Sequence, residues 1–181
     1  MRYVAFLRAI NVGGHHLVKM DALRRLFEQL GFTNVETFIA SGNVVFESTP
    51  RSSRSLEKKI EAHLQKSLGY EVKTFIRNES EVAAIAGYTP FPAARVKSSA
   101  IFCVGFLAEP LAPDAVKALM ALKTAADEFH VNGREIYWVS KKKQGESTFS
   151  NALLEKTLKI RSTLRGVSTV VKLAAKHGCK A

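Results

Sequence analysis

Apolar residues fall in short strand-like runs separated by stretches of helical spacing, and the order of these runs outlines a fold. Tyr3 to Val12 alternates weakly and is rich in β-forming residues, so it predicts a strand, which Asn11-Val12-Gly13-Gly14 breaks. Leu23, Leu26, Phe27 and Leu30 follow at helical spacing, with Gly31 as a stop. Val35 to Ala40 and Val44 to Phe46 predict two strands joined across Ser41-Gly42-Asn43. Leu56, Ile60 and Leu64 then mark a second helix ending before Gly69. Val72 to Ile76 gives a fourth strand, and Glu79 to Ala86 a short helix.

This order, β-α-β-β-α-β, is that of a ferredoxin-like sandwich, an antiparallel sheet with helices on one face. A stretch from Gly87 to Ala94, broken by Pro90 and Pro92, separates it from a strand at Ser98 to Phe106. A helix from about Asp114 to Leu122, opened by Pro113, comes next. Two strands, Phe129 to Val131 and Glu135 to Val139, are then joined by the hairpin signal Asn132-Gly133. The pattern ends in two helices, Ser150 to Leu158 and Ser168 to His177, where a closing strand would stand. The reading is therefore an α+β chain: a ferredoxin-like βαββαβ first half over residues 1–90, and a related βαββ-αα second half over 91–181 with a basic helical end.

The chain has 181 residues, 46% of them hydrophobic and 24% charged, which is a globular profile. No segment is apolar for long enough to span a bilayer, and Arg8 follows the first apolar run too early for a secretory leader, so the expected location is cytoplasmic, with no membrane partner. Cys103 and Cys179 lie far apart without metal-ligand spacing, which predicts neither a disulfide nor a zinc site. A buried inert thiol is expected at Cys103 and an exposed tail thiol at Cys179. The net charge of +11 is uneven: residues 141–181 hold 10 Lys and Arg against 2 Asp and Glu, so +8 of it lies there.

Several motifs together carry a family resemblance. They are Arg8-Ala9-Ile10-Asn11-Val12-Gly13-Gly14, Val18-Lys19-Met20, Ser41-Gly42-Asn43-Val44-Val45-Phe46, Phe149 with Asn151-x-x-Leu154-Glu155-Lys156, and Thr163-x-Arg165 followed by Thr169-Val170-x-Lys172-Leu173. The chain resembles the bacterial domain-of-unknown-function family sixteen-ninety-seven nearly from end to end. The resemblance implies a fold and a cytoplasmic bacterial setting, and no reaction. Two departures stand out: His16 where an amide is expected after the glycines, and Gly166-Val167-Ser168 where the family shows Asn-Trp-Asn.

Candidate chemistry falls in two places. In a βαββαβ unit the first two strands run parallel, so the loop leaving strand one and the hairpin joining strands two and three share one end of the sheet. Arg8, Asn11, Gly13, Gly14 and Lys19 would then face Ser41, Gly42 and Asn43. Glycine-rich backbone, a helix N-terminus and cationic side chains suit a phosphate or carboxylate. The same residues also suit tight turns, amide caps and a surface ion pair, and both readings stay open. The second place is the basic end, with Lys141, Lys142, Lys143, Lys156, Lys159, Arg161, Arg165, Lys172 and Lys176 beside Tyr137 and Trp138. This is either a nucleic-acid surface, with charge for phosphates and rings for bases, or a solvated rim with Trp138 in the core.

His15-His16 lacks ligand spacing, and His63, His130 and His177 lack partner motifs. No nucleophile, paired-carboxylate or metal-protease signal is present, so no catalytic residue and no cofactor is named. Three functions remain: binding of an anionic ligand, nucleic acid or a phosphorylated molecule; an enzyme acting on a small phosphorylated or carboxylated metabolite; and a protein–protein interaction module.

Overall fold

The structure is a computed structural model that describes residues 1–11 and 17–179. The chain divides into two compact units, Met1–Ile85 with Leu173–Ala181, and Ala86–Lys172. The first holds β1 (Arg2–Leu7), α1 (Met20–Glu28), β2 (Thr33–Phe38), β3 (Asn43–Glu47), α2 (Ser53–Leu68) and β4 (Thr74–Asn78), followed by α3 (Glu79–Gly87). Its sheet has the order β2-β3-β1-β4, antiparallel throughout. Tyr3, Ala5, Leu7, Val44, Phe46 and Ile76 face the helices, where they pack with Leu23, Phe27, Leu56, Ile60 and Leu64. The intervening residues Val4, Phe6, Val45, Phe75 and Arg77 are buried as well. A sheet buried on both faces explains why the alternation of β1 is weak.

After α4 (Ala93–Lys97), the chain runs β5 (Ile101–Phe106), α5 (Pro113–Met120), β6 (Asp127–Asn132), β7 (Glu135–Ser140), α6 (Asn151–Leu158), β8 (Thr163–Gly166) and α7 (Val167–Lys176), the second unit ending within α7 at Lys172. Its sheet order, β6-β7-β5-β8, repeats the first. The α+β class and the two related ferredoxin-like halves are thus as the sequence pattern outlines. The expected αα ending needs correction, because the strand β8 lies between those two helices and pairs with β5 through Cys103↔Gly166, Val104↔Arg165, Gly105↔Leu164 and Phe106↔Thr163. The stretch 91–181 also does not stay together. Leu173–Ala181 groups with the first unit, where Arg2 donates to the His177 carbonyl and Lys176 pairs with Glu36 at 2.9 Å.

The two halves share one closing device. In the first, Glu61 on α2 accepts the Thr74 N–H at 3.0 Å through one carboxylate oxygen, and the other meets Lys73 Nζ at 2.9 Å. In the second, Glu155 on α6 accepts the Ser162 N–H at 2.9 Å, and its other oxygen lies 3.6 Å from Arg161. Three residues after each clamped N–H comes a buried arginine, Arg77 or Arg165. Each donates to the carbonyl just before it, at 2.8 Å. Register makes the two equivalent, since Arg77 pairs with Val4 and Arg165 with Val104 at matching places in the sheets.

A buried carboxylate also organises the β6–β7 hairpin. Asp127, 1% exposed, accepts Trp138 Nε1 at 3.0 Å, Ser147 Oγ at 2.9 Å and Thr124 Oγ1 at 2.9 Å. Burial alone would raise its pKa, but hydrogen bonds from Ser140, Trp138, Ser147 and Thr124 outweigh this and hold it below the ordinary value. A depressed carboxylate contributes stability above its unfolded pKa and loses it as pH falls through the folded value. Asp127→Ala, which strands a buried indole N–H, is expected to cost about 3 kcal/mol near neutral pH. Urea titrations from pH 7 to pH 3 should show the gap between wild type and variant narrowing only below about pH 4. A gap that stays constant to pH 3 would mean that the Asp127 carboxyl is not held below its ordinary value in the folded protein.

Candidate functional site

The end of β1 and the β2–β3 hairpin meet as the topology requires. Leu7 N–H donates to Gly42 O at 2.8 Å, and Arg8 N–H donates to Lys73 O at 2.8 Å. The departing loop is therefore fixed by the hairpin on one side and by the start of β4 on the other. From there the Asn11 side chain joins three segments. Its Nδ2 donates to Val18 O at 3.1 Å and to Ala40 O at 3.0 Å, while its Oδ1 accepts the Val18 N–H at 2.7 Å. Asn43, fully buried, donates to Phe38 O at 3.0 Å and to Ser41 Oγ at 2.9 Å, which ties the hairpin to itself.

This end of the sheet concentrates unusual backbone. Ala9, Asn11, Ile39 and Gly42 all have positive φ, at 60°, 55°, 51° and 72°. Asparagine adopts that region readily, alanine less so, and β-branched Ile39 does so only when its surroundings enforce it. Gly42 has a second reason to be glycine: a Cβ there would lie 3.1 Å from Ile10 Cβ and 3.2 Å from Leu7 Cβ. Ile39 and Leu17 are exposed although aliphatic, at 53% and 75%.

Of the residues singled out in the sequence, Arg8 is half-buried where β1 ends, and Lys19 is exposed as the cap of α1. Ser41, Gly42 and Asn43 close the hairpin alongside them. Gly13, Gly14, His15 and His16 lie outside the described residues. Among the described residues no three His, Cys, Asp or Glu side chains gather as metal ligands.

The basic end is arranged differently from the stacking surface envisaged. Tyr137 and Trp138 are 0% and 4% exposed, so neither ring is available to a base. Arg165 leaves the surface cluster as well: it is buried, and burial lowers its pKa to about 10. Lys141, Lys142, Lys143, Lys156, Lys159, Arg161 and Lys172 are exposed. Cys103 is partly rather than fully buried, packed against the core of the second unit, and burial still pushes its thiol up to about 11, which makes it a poor nucleophile. Cys179 is half-buried rather than exposed, and its pKa is likewise raised, first by burial. His63 meets Gln29 at 3.1 Å, and His130 meets the Tyr88 hydroxyl at 2.8 Å.

Two related ferredoxin-like halves, with left-handed backbone concentrated at one end of the first, define a two-unit ferredoxin-like protein. The chain belongs to the family described as "Protein of unknown function (DUF1697)", which matches residues 1–137. Among solved structures it is similar to the conserved bacterial protein SP0830 from Streptococcus pneumoniae. That likeness has 26% sequence identity and a TM-score of 0.72, and covers 97% of each chain. No curated protein matches at a significant level. No helix among the described residues is long and apolar enough to cross a membrane.

The sequence pattern leaves Asn11 as one candidate among several, whereas the geometry makes it the joint of the loop pair. Gly42→Ala is expected to lower stability by about 2 kcal/mol, from the left-handed backbone and the crowding at Leu7 and Ile10. Thermal and urea unfolding would measure this, and a cost below about 0.5 kcal/mol would show that the hairpin is not packed this tightly.

Proposed function

We propose that the chain binds a small anion, a phosphorylated or carboxylated molecule, at the paired loops of its first unit. The observation that carries this reading is the Asn11 carboxamide, which holds the segments around Val18 and Ala40 together while Asn11, Ala9 and Ile39 sit in left-handed backbone. Strain of this kind costs of order 1–3 kcal/mol per residue and persists where surrounding structure imposes it, most often at binding or catalytic loops. Arg8 and Lys19 bring positive charge to the same loops. Gly13 and Gly14, between them in sequence, supply the backbone freedom an anion-cradling turn uses. Among the described residues of these loops no nucleophile or general base is identified, and the function proposed is binding.

The test is thermal. Inorganic phosphate or adenosine monophosphate at a hundredfold excess over the dissociation constant stabilises a native-only binder by about 2.7 kcal/mol, roughly 5–10 °C for a chain of this size. Arg8→Ala should abolish the shift, measured against the variant's own ligand-free melting temperature. A shift that survives in the variant moves the site elsewhere.

A second reading, binding of a polyanion such as nucleic acid, is favoured by the exposed lysines at 141–143 together with Lys156, Lys159, Arg161 and Lys172. With Tyr137 and Trp138 buried, its basis is charge alone, so duplex should be preferred over single strand and Trp138 fluorescence should stay unquenched. Affinity should fall by about 0.9 log units per log unit of salt for each duplex phosphate neutralised. Replacing Lys141, Lys142 and Lys143 with alanine should reduce that slope, and an unchanged slope would exclude those lysines from the interface.

A further inference from the structure

The second unit contains a cavity unrelated to the paired loops. It measures about 520 Å³ and is lined by Thr89, Phe91, Ala93, Val96, Lys97 and Phe102, a size within the range of small-molecule sites. Its wall is aromatic. Phe91 and Phe102 meet edge to face with centroids 6.1 Å apart, and Phe91 meets His130 in the same way at 6.4 Å. His130 is in turn held by the Tyr88 hydroxyl at 2.8 Å.

The wall is also preformed. Phe91 stands between Pro90 and Pro92, which fix their own φ and restrict the residue preceding each to extended backbone. Phe102 lies on β5 between Ile101 and Cys103, whose side chains join the helix-side core, so its ring is directed to the other face of the sheet. Ala93, the first residue of α4, adds only a methyl group to the lining. Two of the lining residues, Thr89 and Lys97, carry a polar group. Lys97 is exposed and the only charged residue lining the cavity. A flat apolar body with a single negative charge matches that distribution: the ring displaces water from Phe91 and Phe102, and the charge reaches Lys97 without itself being buried.

We propose that this cavity is a binding site for a small aromatic carboxylate, held by Phe91 and Phe102 and oriented by Lys97. It is independent of the anion site in the first unit, since it uses other residues and takes an apolar ligand. The full chain, isotopically labelled, would be titrated with 2-naphthoate, with its neutral counterpart 2-naphthalenemethanol and with octanoate, following backbone amides by NMR. The expected result is that 2-naphthoate perturbs amides within 89–102 and binds about fivefold more tightly than the alcohol, the gain of one exposed ion pair. Lys97→Met, which keeps the apolar stem of an exposed side chain, should bring naphthoate down to the level of the alcohol and leave the alcohol unchanged. Phe91→Leu should weaken both. Absence of perturbation within 89–102, or an undiminished preference for naphthoate in the Lys97→Met protein, would overturn the proposal. Octanoate binding as tightly as naphthoate would overturn its aromatic part.

Discussion

The order of this structure hangs on a carboxylate set on a helix and aimed at the first N–H groups of a closing strand. Glu61 in the first unit and Glu155 in the second each spend one oxygen on that N–H and offer the other to the preceding cation, Lys73 or Arg161. A strand at the edge of a four-stranded sheet has pairing on one side only, and its first N–H would otherwise have to find water. A helix carboxylate satisfies it and fixes where the strand begins. In the first unit the consequence reaches the paired loops, because the residue beside the clamped Thr74 is Lys73, whose carbonyl takes the Arg8 N–H at 2.8 Å. The direction in which the chain leaves β1 toward Asn11 thus depends on a hydrogen bond made from α2.

What sits above that clamp is over-determined in a way that packing alone does not require. Leu7 N–H reaches Gly42 O, Gly42 leaves no room for a side chain between Leu7 and Ile10, and Asn11 holds Val18 and Ala40. These contacts impose left-handed backbone on Ala9 and Ile39, and Ile39 remains half exposed. An exposed isoleucine in that conformation contributes little burial to offset its strain, and this is the observation on which the proposed site at these loops rests.

The strands and helices of the first half were legible because each has its own period and its own stop, down to Gly69 as the left-handed cap of α2. That the two loops share one end of the sheet was legible too, since it follows from strand order. What was hidden has physical reasons. β8 is four residues long, Thr163-Leu164-Arg165-Gly166, with a buried arginine and a terminal glycine, so its pattern reads as polar loop. Its strand character comes from pairing with β5 and from the Glu155 clamp, which no local period records. Tyr137 and Trp138 are neighbours on a strand and point to opposite faces, so a strand with one exposed face would show one of them; both are buried because both faces of β7 are covered. Asn11 as a bridge depends on a left-handed backbone, which asparagine permits but does not announce.

The duplication supplies an internal control for reading function. At the clamp, the two halves carry equivalent groups at equivalent places: glutamate, hydroxyl residue, cation and buried arginine. At the loop end they diverge. Leu7 N–H to Gly42 O in one half corresponds to Leu107 N–H to Arg134 O in the other, so Gly42 is matched by Arg134 and Asn43 by Glu135. Where the first half concentrates four left-handed residues, the corresponding hairpin of the second needs only Gly133, the glycine of an ordinary Asn-Gly turn. A fold that closes its sheet with the same hydrogen bond on both sides evidently does not need Asn11, Gly42 or the strain at Ile39 to do so. The demands of folding are visible in what the halves share. The end of the first sheet, where they part, is not explained by those shared demands, and it is there that the proposed anion site is placed.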